Sequence, residues 1–233
     1  MERRDLSDRR DLDEIYHYMT HKKSKGHLRT LGLVRPRGKD VEMSLQTCKD
    51  PKLWYLVRKF ALHHVSVPWT TVEILDSIDY KPKRTKCEGL QYIISCGSYR
   101  GGNLVGSTEK DSWEVDINYQ PLILSDPLIT HGTKDFEGRR IQFIFYSLPT
   151  KKGAIDKSLD DFEAVSVDGE WRIAYTAPGK ARVLLPKKSV KPSKMVSFYQ
   201  QDWVKEEEGF NGSEAQSLLF LAMRKREENL NTE

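Results

Sequence analysis

Thr130 to Tyr146 read THGTKDFEGRRIQFIFY, a short polar turn followed by an apolar strand. His131 opens the turn and Gly138 closes it. Beyond the turn, apolar side chains occupy both sides of the alternation up to Tyr146, which is typical of a strand that is buried on both faces. Arg140 stands at the start of this strand, nine positions after His131.

Arg140 and His131 carry the chemistry that this stretch predicts. A guanidinium fork holds two oxygens at once, so a fixed Arg140 at the mouth of a buried strand is suited to a bound carboxylate. His131 is placed on the adjacent strand, where its imidazole is a candidate metal ligand.

The spacing His-x-x-x-x-Phe-x-Gly-x-Arg, from His131 to Arg140, is followed by an apolar strand that ends in Tyr146. It resembles the TET/JBP-type 2-oxoglutarate- and iron-dependent dioxygenases, double-stranded β-helix proteins that oxidise the methyl group of a pyrimidine in nucleic acid. The resemblance implies that His131 is the distal iron ligand and that Arg140 holds the far carboxylate of 2-oxoglutarate. It also implies Fe(II) and 2-oxoglutarate as cofactors, and DNA or RNA as the partner.

The resemblance continues upstream and covers roughly residues 66–148. The segment from Tyr92 to Leu104 resembles the family's strand, its Gly-x-Tyr-x-Gly-Gly turn and its next strand. The approach to the distal His is matched by Asp116-Ile117, Pro121-Leu122 and Asp126.

The chain departs from the family at the other two iron ligands. In the family, a His-x-Asp pair precedes the strand that corresponds to Ile93-Ile94 and completes the iron triad. Depending on the gap, that pair falls here on Pro82 and Arg84 or on Lys83 and Thr85, and neither choice supplies ligands. No His lies between positions 64 and 131.

Two functional hypotheses follow from this departure. In the first, the chain is a catalytically degenerate dioxygenase fold that acts as a binding module, with nucleic acid as the candidate partner and no cofactor. In the second, it is an active 2-oxoglutarate- and Fe(II)-dependent oxygenase that hydroxylates a nucleobase methyl group with non-standard ligands. Asp76, Asp79 and Glu88 flank the missing pair, and Asp79 is the alternative ligand. A third reading is a structural or partner-binding protein without a small ligand.

Basic residues are concentrated in two segments. Cations occupy the loop where the missing ligands are expected, and cations beside an Fe(II) site disfavour the metal. Residues 179–200 contain no acidic side chain, and Phe198, Tyr199 and Trp203 lie in or just after them. Such a combination can bind nucleic acid through phosphate contacts and stacking; the alternative interpretations are a solvated loop and a packed appendage. The predicted nucleic-acid contacts are Lys81, Lys83, Arg84, Lys86, Lys187 and Lys188.

The whole-chain composition fits an intracellular globular protein. The 233 residues carry a net charge of +4, which permits an anionic partner without requiring one. No apolar run of 18 residues and no apolar N-terminal segment occur, so we expect no membrane partner and a nuclear or cytoplasmic location. Cys48, Cys87 and Cys96 match no metal-binding spacing and are expected to be reduced thiols, with Cys96 in the core.

Many short strands with turn signals predict a mainly β fold with flanking helices (α+β), built on a double-stranded β-helix or jelly-roll core. We expect a helical or irregular N-terminal extension over 1–49, the dioxygenase-like core over 50–148, and a basic β-hairpin appendage with a C-terminal helix over 149–233. Predicted helices run from Asp11 to His21 and begin at Asp50-Pro51 and Ser213, and a hairpin turns at Asp168-Gly169.

Overall fold

The computed structural model describes residues 6–22, 27–35, 41–78, 83–84, 88–107, 111–124, 130–149, 158–176 and 182–185. The helices in these ranges are α1 (Leu6–His21), α2 (Leu45–Lys49) and α3 (Pro51–His64). The strands are β1 (His27–Val34), β2 (Glu42–Met43), β3 (Thr71–Asp76), β4 (Lys83–Arg84), β5 (Glu88–Gly101), β6 (Leu104–Ser107), β7 (Ser112–Val115), β8 (Leu122–Leu124), β9 (Thr130–Thr133), β10 (Phe136–Ser147), β11 (Phe162–Val167), β12 (Glu170–Thr176) and β13 (Arg182–Leu184).

The strand order identifies the fold. Eight consecutive strands, β3 to β10, are divided between two antiparallel sheets. The large sheet has the order β2-β1-β3-β10-β5-β8, and the small sheet has the order β4-β9-β6-β7. A chain that winds eight strands between two facing sheets in this way is a double-stranded β-helix, or jelly roll. The predicted fold class, mainly β with flanking helices, is therefore confirmed.

Strands β1 and β2 extend the large sheet beyond β3 and come from the N-terminal segment 1–49. The sequence analysis named no strand there. β1 lacks a clean alternation, because its buried positions are consecutive near its end and it contains Gly32 at φ +86°. Periodicity therefore gave no signal, and pairing with β3 stabilises the strand instead.

Strand β10 is buried on both faces, as its sequence predicts. On the outer face, Phe145 packs against α3, where its ring centroid is 6.1 Å from that of Phe60. On the inner face, Ile144 joins an apolar cluster with Ile93 of β5 and Leu104 of β6. Because this cluster draws on both sheets, the even-numbered residues of β10 point into the space between them.

Helices α1 and α3 cover the outer face of the large sheet. The predicted helix from Asp11 to His21 is confirmed and begins earlier, at Leu6. Its fully buried side chains, Leu12, Ile15 and Met19, are spaced three or four residues apart and so share one face. Helix α3 begins as predicted, since the side chain of Asp50 accepts a hydrogen bond from the Leu53 amide and Pro51 takes the first position.

Strands β11 to β13 form a third sheet that packs on α3. The predicted hairpin is present, with Asp168 and Gly169 at φ +51° and +77° in its turn. The rings of Tyr55 and Trp171 lie 4.8 Å apart, and Arg58 donates 2.8 Å hydrogen bonds to two backbone carbonyls at the start of this sheet. The predicted C-terminal helix at Ser213 lies outside the described residues.

A buried ion pair joins β3 to β10 beneath α1. The carboxylate of Asp76 is fully buried and accepts from Arg139 at two points, Nη2 to Oδ2 at 2.6 Å and Nε to Oδ1 at 3.1 Å. Arg139 also donates to the carbonyl of Met19 on α1, at 3.1 Å. The pair therefore ties the first and last strands of the jelly roll to the covering helix.

Replacement of Asp76 by Asn should destabilise the protein strongly, because it leaves the Arg139 charge buried without its counter-ion. Loss of one partner of a buried pair costs about 3–5 kcal/mol. The measurement is the free energy of unfolding from urea titration. The matched control is Asp160→Asn, which breaks the 2.9 Å pair with Arg58 at a side chain that is 86% exposed, and which should cost less than about 1 kcal/mol. Equal losses in the two variants would contradict this assignment.

Candidate functional site

His131 lies in the small sheet with its side chain fully buried. The sequence analysis placed it on the strand adjacent to that of Arg140, where it opens a turn; it lies in β9, and only Lys134 and Asp135 separate β9 from β10. It stands in register between Lys83 of β4 and Gly106 of β6. On β6, Leu104 points into the cluster between the sheets, and position 106, two residues on, faces the same side. His131 is opposite Gly106, so its side chain also points between the sheets.

The described residues do not supply the full set of iron ligands that the resemblance implies. The register sets Lys83 directly across from His131, where a neighbouring donor would be closest. In the described part of the chain, no group of three His, Cys, Asp or Glu side chains is arranged to hold a metal. Because Fe(II) in such a fold takes two His and one carboxylate, this donor set does not fit it.

The remaining candidate donors fall into two groups. Asp76 is occupied by Arg139 on the outer face of the large sheet, away from the space between the sheets. Asp79 lies outside the described residues, and the side chain of Glu88 is likewise not described. The alternative ligand Asp79 thus stays a prediction.

Arg140 lies near the start of β10 on the inner face and is only 1% exposed. Its guanidinium carbon is 5.6 Å from the ring centroid of Tyr99 and 5.7 Å from that of Phe136. The faces of aromatic rings attract cations, so both rings stabilise the guanidinium, which lies beside them. Gly102 makes room for it, since a Cβ there would come within 3.1 Å of Cδ and 3.3 Å of Nε.

The positive charge of Arg140 has no counter-ion among the described residues. All three of its guanidinium nitrogens are buried, and none makes a hydrogen bond in the described part of the chain. Burial lowers the pKa of Arg140, while Tyr99 and Asp116 oppose that lowering. The Tyr99 hydroxyl is near enough to act electrostatically but is not in hydrogen-bond geometry with the guanidinium; it bonds to Ser95 Oγ at 2.7 Å.

Gln142 is a third inward polar residue, two positions after Arg140. It is fully buried, and neither its amide oxygen nor its amide nitrogen has a hydrogen-bond partner among the described residues. It lies in register between Ser95 of β5 and Leu75 of β3. The sequence analysis assigned it no role. The available signal was a Gln at an inward position of an otherwise apolar strand.

The described thiols take no part in this site. Cys48 and Cys96 are free and buried, as predicted for Cys96. Burial raises the pKa of Cys48 to about 11 and raises that of Cys96 still further. Both sulfurs therefore stay protonated near neutral pH and behave as core groups.

A separate surface cavity of about 640 Å³ lies beside α1, lined also by β5 and residues 118–120. Its most strongly polar groups pair with one another. The Tyr119 hydroxyl donates to Asp13, and the guanidinium carbon of Arg9 is 4.9 Å from the Tyr119 ring centroid. The interior site at Arg140 differs because its charge is not neutralised in this way.

The predicted nucleic-acid contacts are only partly described. Lys81, Lys86, Lys187 and Lys188 lie outside the described residues, and for Lys83 and Arg84 the structure describes the backbone alone. That backbone forms β4, opposite His131 and Thr130 of β9. The described part of the chain contains no helix that is long and apolar enough to cross a membrane.

Comparison with known proteins gives matches among solved structures. No protein-family model and no curated protein matches this sequence. NgTET1, in complex with 5mC DNA, matches with 10% identity and a TM-score of 0.46, over 65% of this chain and 71% of that chain. A 2OG-Fe(II) oxygenase family oxidoreductase from Burkholderia pseudomallei matches with 12% identity and a TM-score of 0.40, over 58% and 78%. A Pseudomonas putida prolyl-4-hydroxylase matches with 7% identity and a TM-score of 0.33, over 61% and 86%. The assignment of the double-stranded β-helix rests on the strand order given above.

Proposed function

We propose that this protein is a binding module on the double-stranded β-helix fold, which takes a small carboxylate-bearing molecule at Arg140 and performs no oxygenase reaction. The observation that carries the proposal is the buried Arg140 guanidinium, which forms no hydrogen bond or ion pair in the described part of the chain. A buried charge is costly unless an opposite charge and hydrogen bonds compensate it. A carboxylate supplies both, through two parallel N–H···O bonds.

The neighbouring arginine supports this interpretation. Arg139 is also largely buried, and it is matched by Asp76 and the Met19 carbonyl. The two residues belong to one strand and have the same chemistry, yet only one of the two has an acidic partner among the described residues. The difference indicates that Arg140 is placed for a ligand rather than for the stability of the strand.

Substitution of each arginine by Met should separate these two roles. Arg140→Met removes an uncompensated buried charge, so the free energy of unfolding should stay unchanged or increase. Arg139→Met leaves the Asp76 carboxylate buried without its counter-ion and should lower the free energy of unfolding by about 3–5 kcal/mol. Urea titration of both variants checks this, and a large loss of stability in Arg140→Met would show that Arg140 is a structural residue.

The Arg140→Met variant also tests ligand binding, with Asp160→Asn as its control. Without added metal, glutarate, succinate or 2-oxoglutarate should raise the melting temperature of the wild type. A ligand at 100 times its Kd adds about 2.7 kcal/mol of stability. Arg140→Met should abolish the shift and Asp160→Asn should keep it. A wild type that responds to none of these acids would refute the proposed function.

Absence of turnover is the second part of the proposal, and it rests on the incomplete donor set. With Fe(II), 2-oxoglutarate and oxygen, purified protein should form no succinate, and under anaerobic conditions it should show no visible charge-transfer band. Formation of succinate would establish the alternative, an active oxygenase with non-standard ligands. In that case Asp79→Ala and His131→Ala should each abolish turnover, whereas Asp160→Asn should not.

We also propose nucleic acid as a partner, because β4 brings two basic residues to the small sheet beside His131. Phosphate contacts of this kind weaken as salt rises, since binding releases counter-ions. Wild-type protein should reduce the electrophoretic mobility of single-stranded DNA or RNA in a low-salt gel, and this shift should be weaker at 200 mM salt. A variant with Lys81, Lys83, Arg84 and Lys86 changed to Glu should lose the shift, whereas a variant with Lys187 and Lys188 changed should retain part of it. No shift at low salt would exclude this partner.

A further inference from the structure

Gln142 is a buried polar residue that the proposed function leaves unexplained. Its side chain is fully buried, and its amide has a donor group and an acceptor oxygen that both lack partners in the described part of the chain. Buried amides in folded proteins are nearly always hydrogen-bonded. A buried amide whose nitrogen and oxygen both lack partners therefore indicates a position where a bound molecule supplies the hydrogen bonds.

The neighbours of Gln142 do not supply those partners. Leu75, in register on one side, is apolar. Ser95, in register on the other side, already bonds to the Tyr99 hydroxyl at 2.7 Å and to the Ile117 carbonyl at 3.1 Å. The strands on both sides of β10 thus supply no hydrogen-bond partner for the amide, and a partner has to come from a group that binds between the sheets.

Gln142 lies near Arg140 on the same face of β10, so one ligand can contact both residues. The two are consecutive inward residues of β10, and such positions are about 7 Å apart along a strand. A short-chain acid whose carboxylate lies on the Arg140 guanidinium can therefore direct its far end toward the Gln142 amide.

The amide also restricts the chemistry of that far end. A second carboxylate accepts hydrogen bonds only, so it satisfies the amide nitrogen but sets a negative charge against the amide oxygen. A neutral group that both donates and accepts, such as a primary carboxamide, satisfies both ends at once. Unmatched buried polar groups are expensive, so this difference is large enough to select between ligands.

We propose that Gln142 is a specificity-determining residue, and that the ligand is a short-chain acid with one carboxylate for Arg140 and a neutral donor–acceptor group for the Gln142 amide. This inference rests on the carboxylate binding proposed above. It adds a preference for the monoamide of a dicarboxylic acid over the dicarboxylate of the same length.

The experiment compares matched probes by calorimetric titration of the full chain: glutarate against its monoamide, and succinate against its monoamide. The wild type should bind each monoamide about tenfold more tightly than the matching dicarboxylate. Gln142→Met keeps the approximate size of the side chain and removes the amide, so the two affinities should come within about twofold. Gln142→Leu is the second variant, and circular dichroism confirms that each variant is folded.

Gln91→Met is the matched control, because Gln91 is also buried on β5 but lies four residues from Ser95, away from Arg140. It should keep the wild-type preference. Equal affinity of the wild type for monoamide and dicarboxylate, or a preference that survives in both Gln142 variants, would overturn the role of Gln142 while carboxylate binding stands. If the wild type binds none of the four probes, the proposed function fails and this inference fails with it.

Discussion

The alternation of side chains along β10 sets two neighbouring arginines on opposite faces of one sheet. Arg139 turns toward α1 and forms a two-point ion pair with Asp76. Arg140 turns between the sheets, where it forms no hydrogen bond or ion pair with a described residue. Since a buried charge is stabilised only by an opposite charge and hydrogen bonds, the strand carries one arginine that holds the fold together and one whose charge needs a ligand.

The packing around Arg140 prepares it for that ligand. The guanidinium packs beside the rings of Tyr99 and Phe136, and the absence of a side chain at Gly102 lets it approach the backbone. A long side chain that is already held in place loses little conformational freedom when a ligand binds. The cost of ordering the side chain is therefore met when the chain folds, and more of the contact energy is available for affinity.

The sequence allowed prediction of whatever depends on local pattern. The alternation from Ile141 to Tyr146 indicated a strand buried on both faces, and the regular spacing of short strands indicated the jelly roll. It could not reveal the pairing of Asp76 with Arg139, because 63 positions separate the two residues and only the register of β3 on β10 brings them together. For the same reason, Gln142 gave no sign of lacking partners until its neighbours Ser95 and Leu75 were known.

The basic sequence of β4 relates the incomplete donor set around His131 to the proposed ligand. Lys83 and Arg84 occupy the positions in register with His131 and Thr130. Lysine and arginine at these positions disfavour a metal cation and favour an anion, as the proposed function requires. The basic sequence of β4 is thus consistent with the proposed binding of an anion between the two sheets.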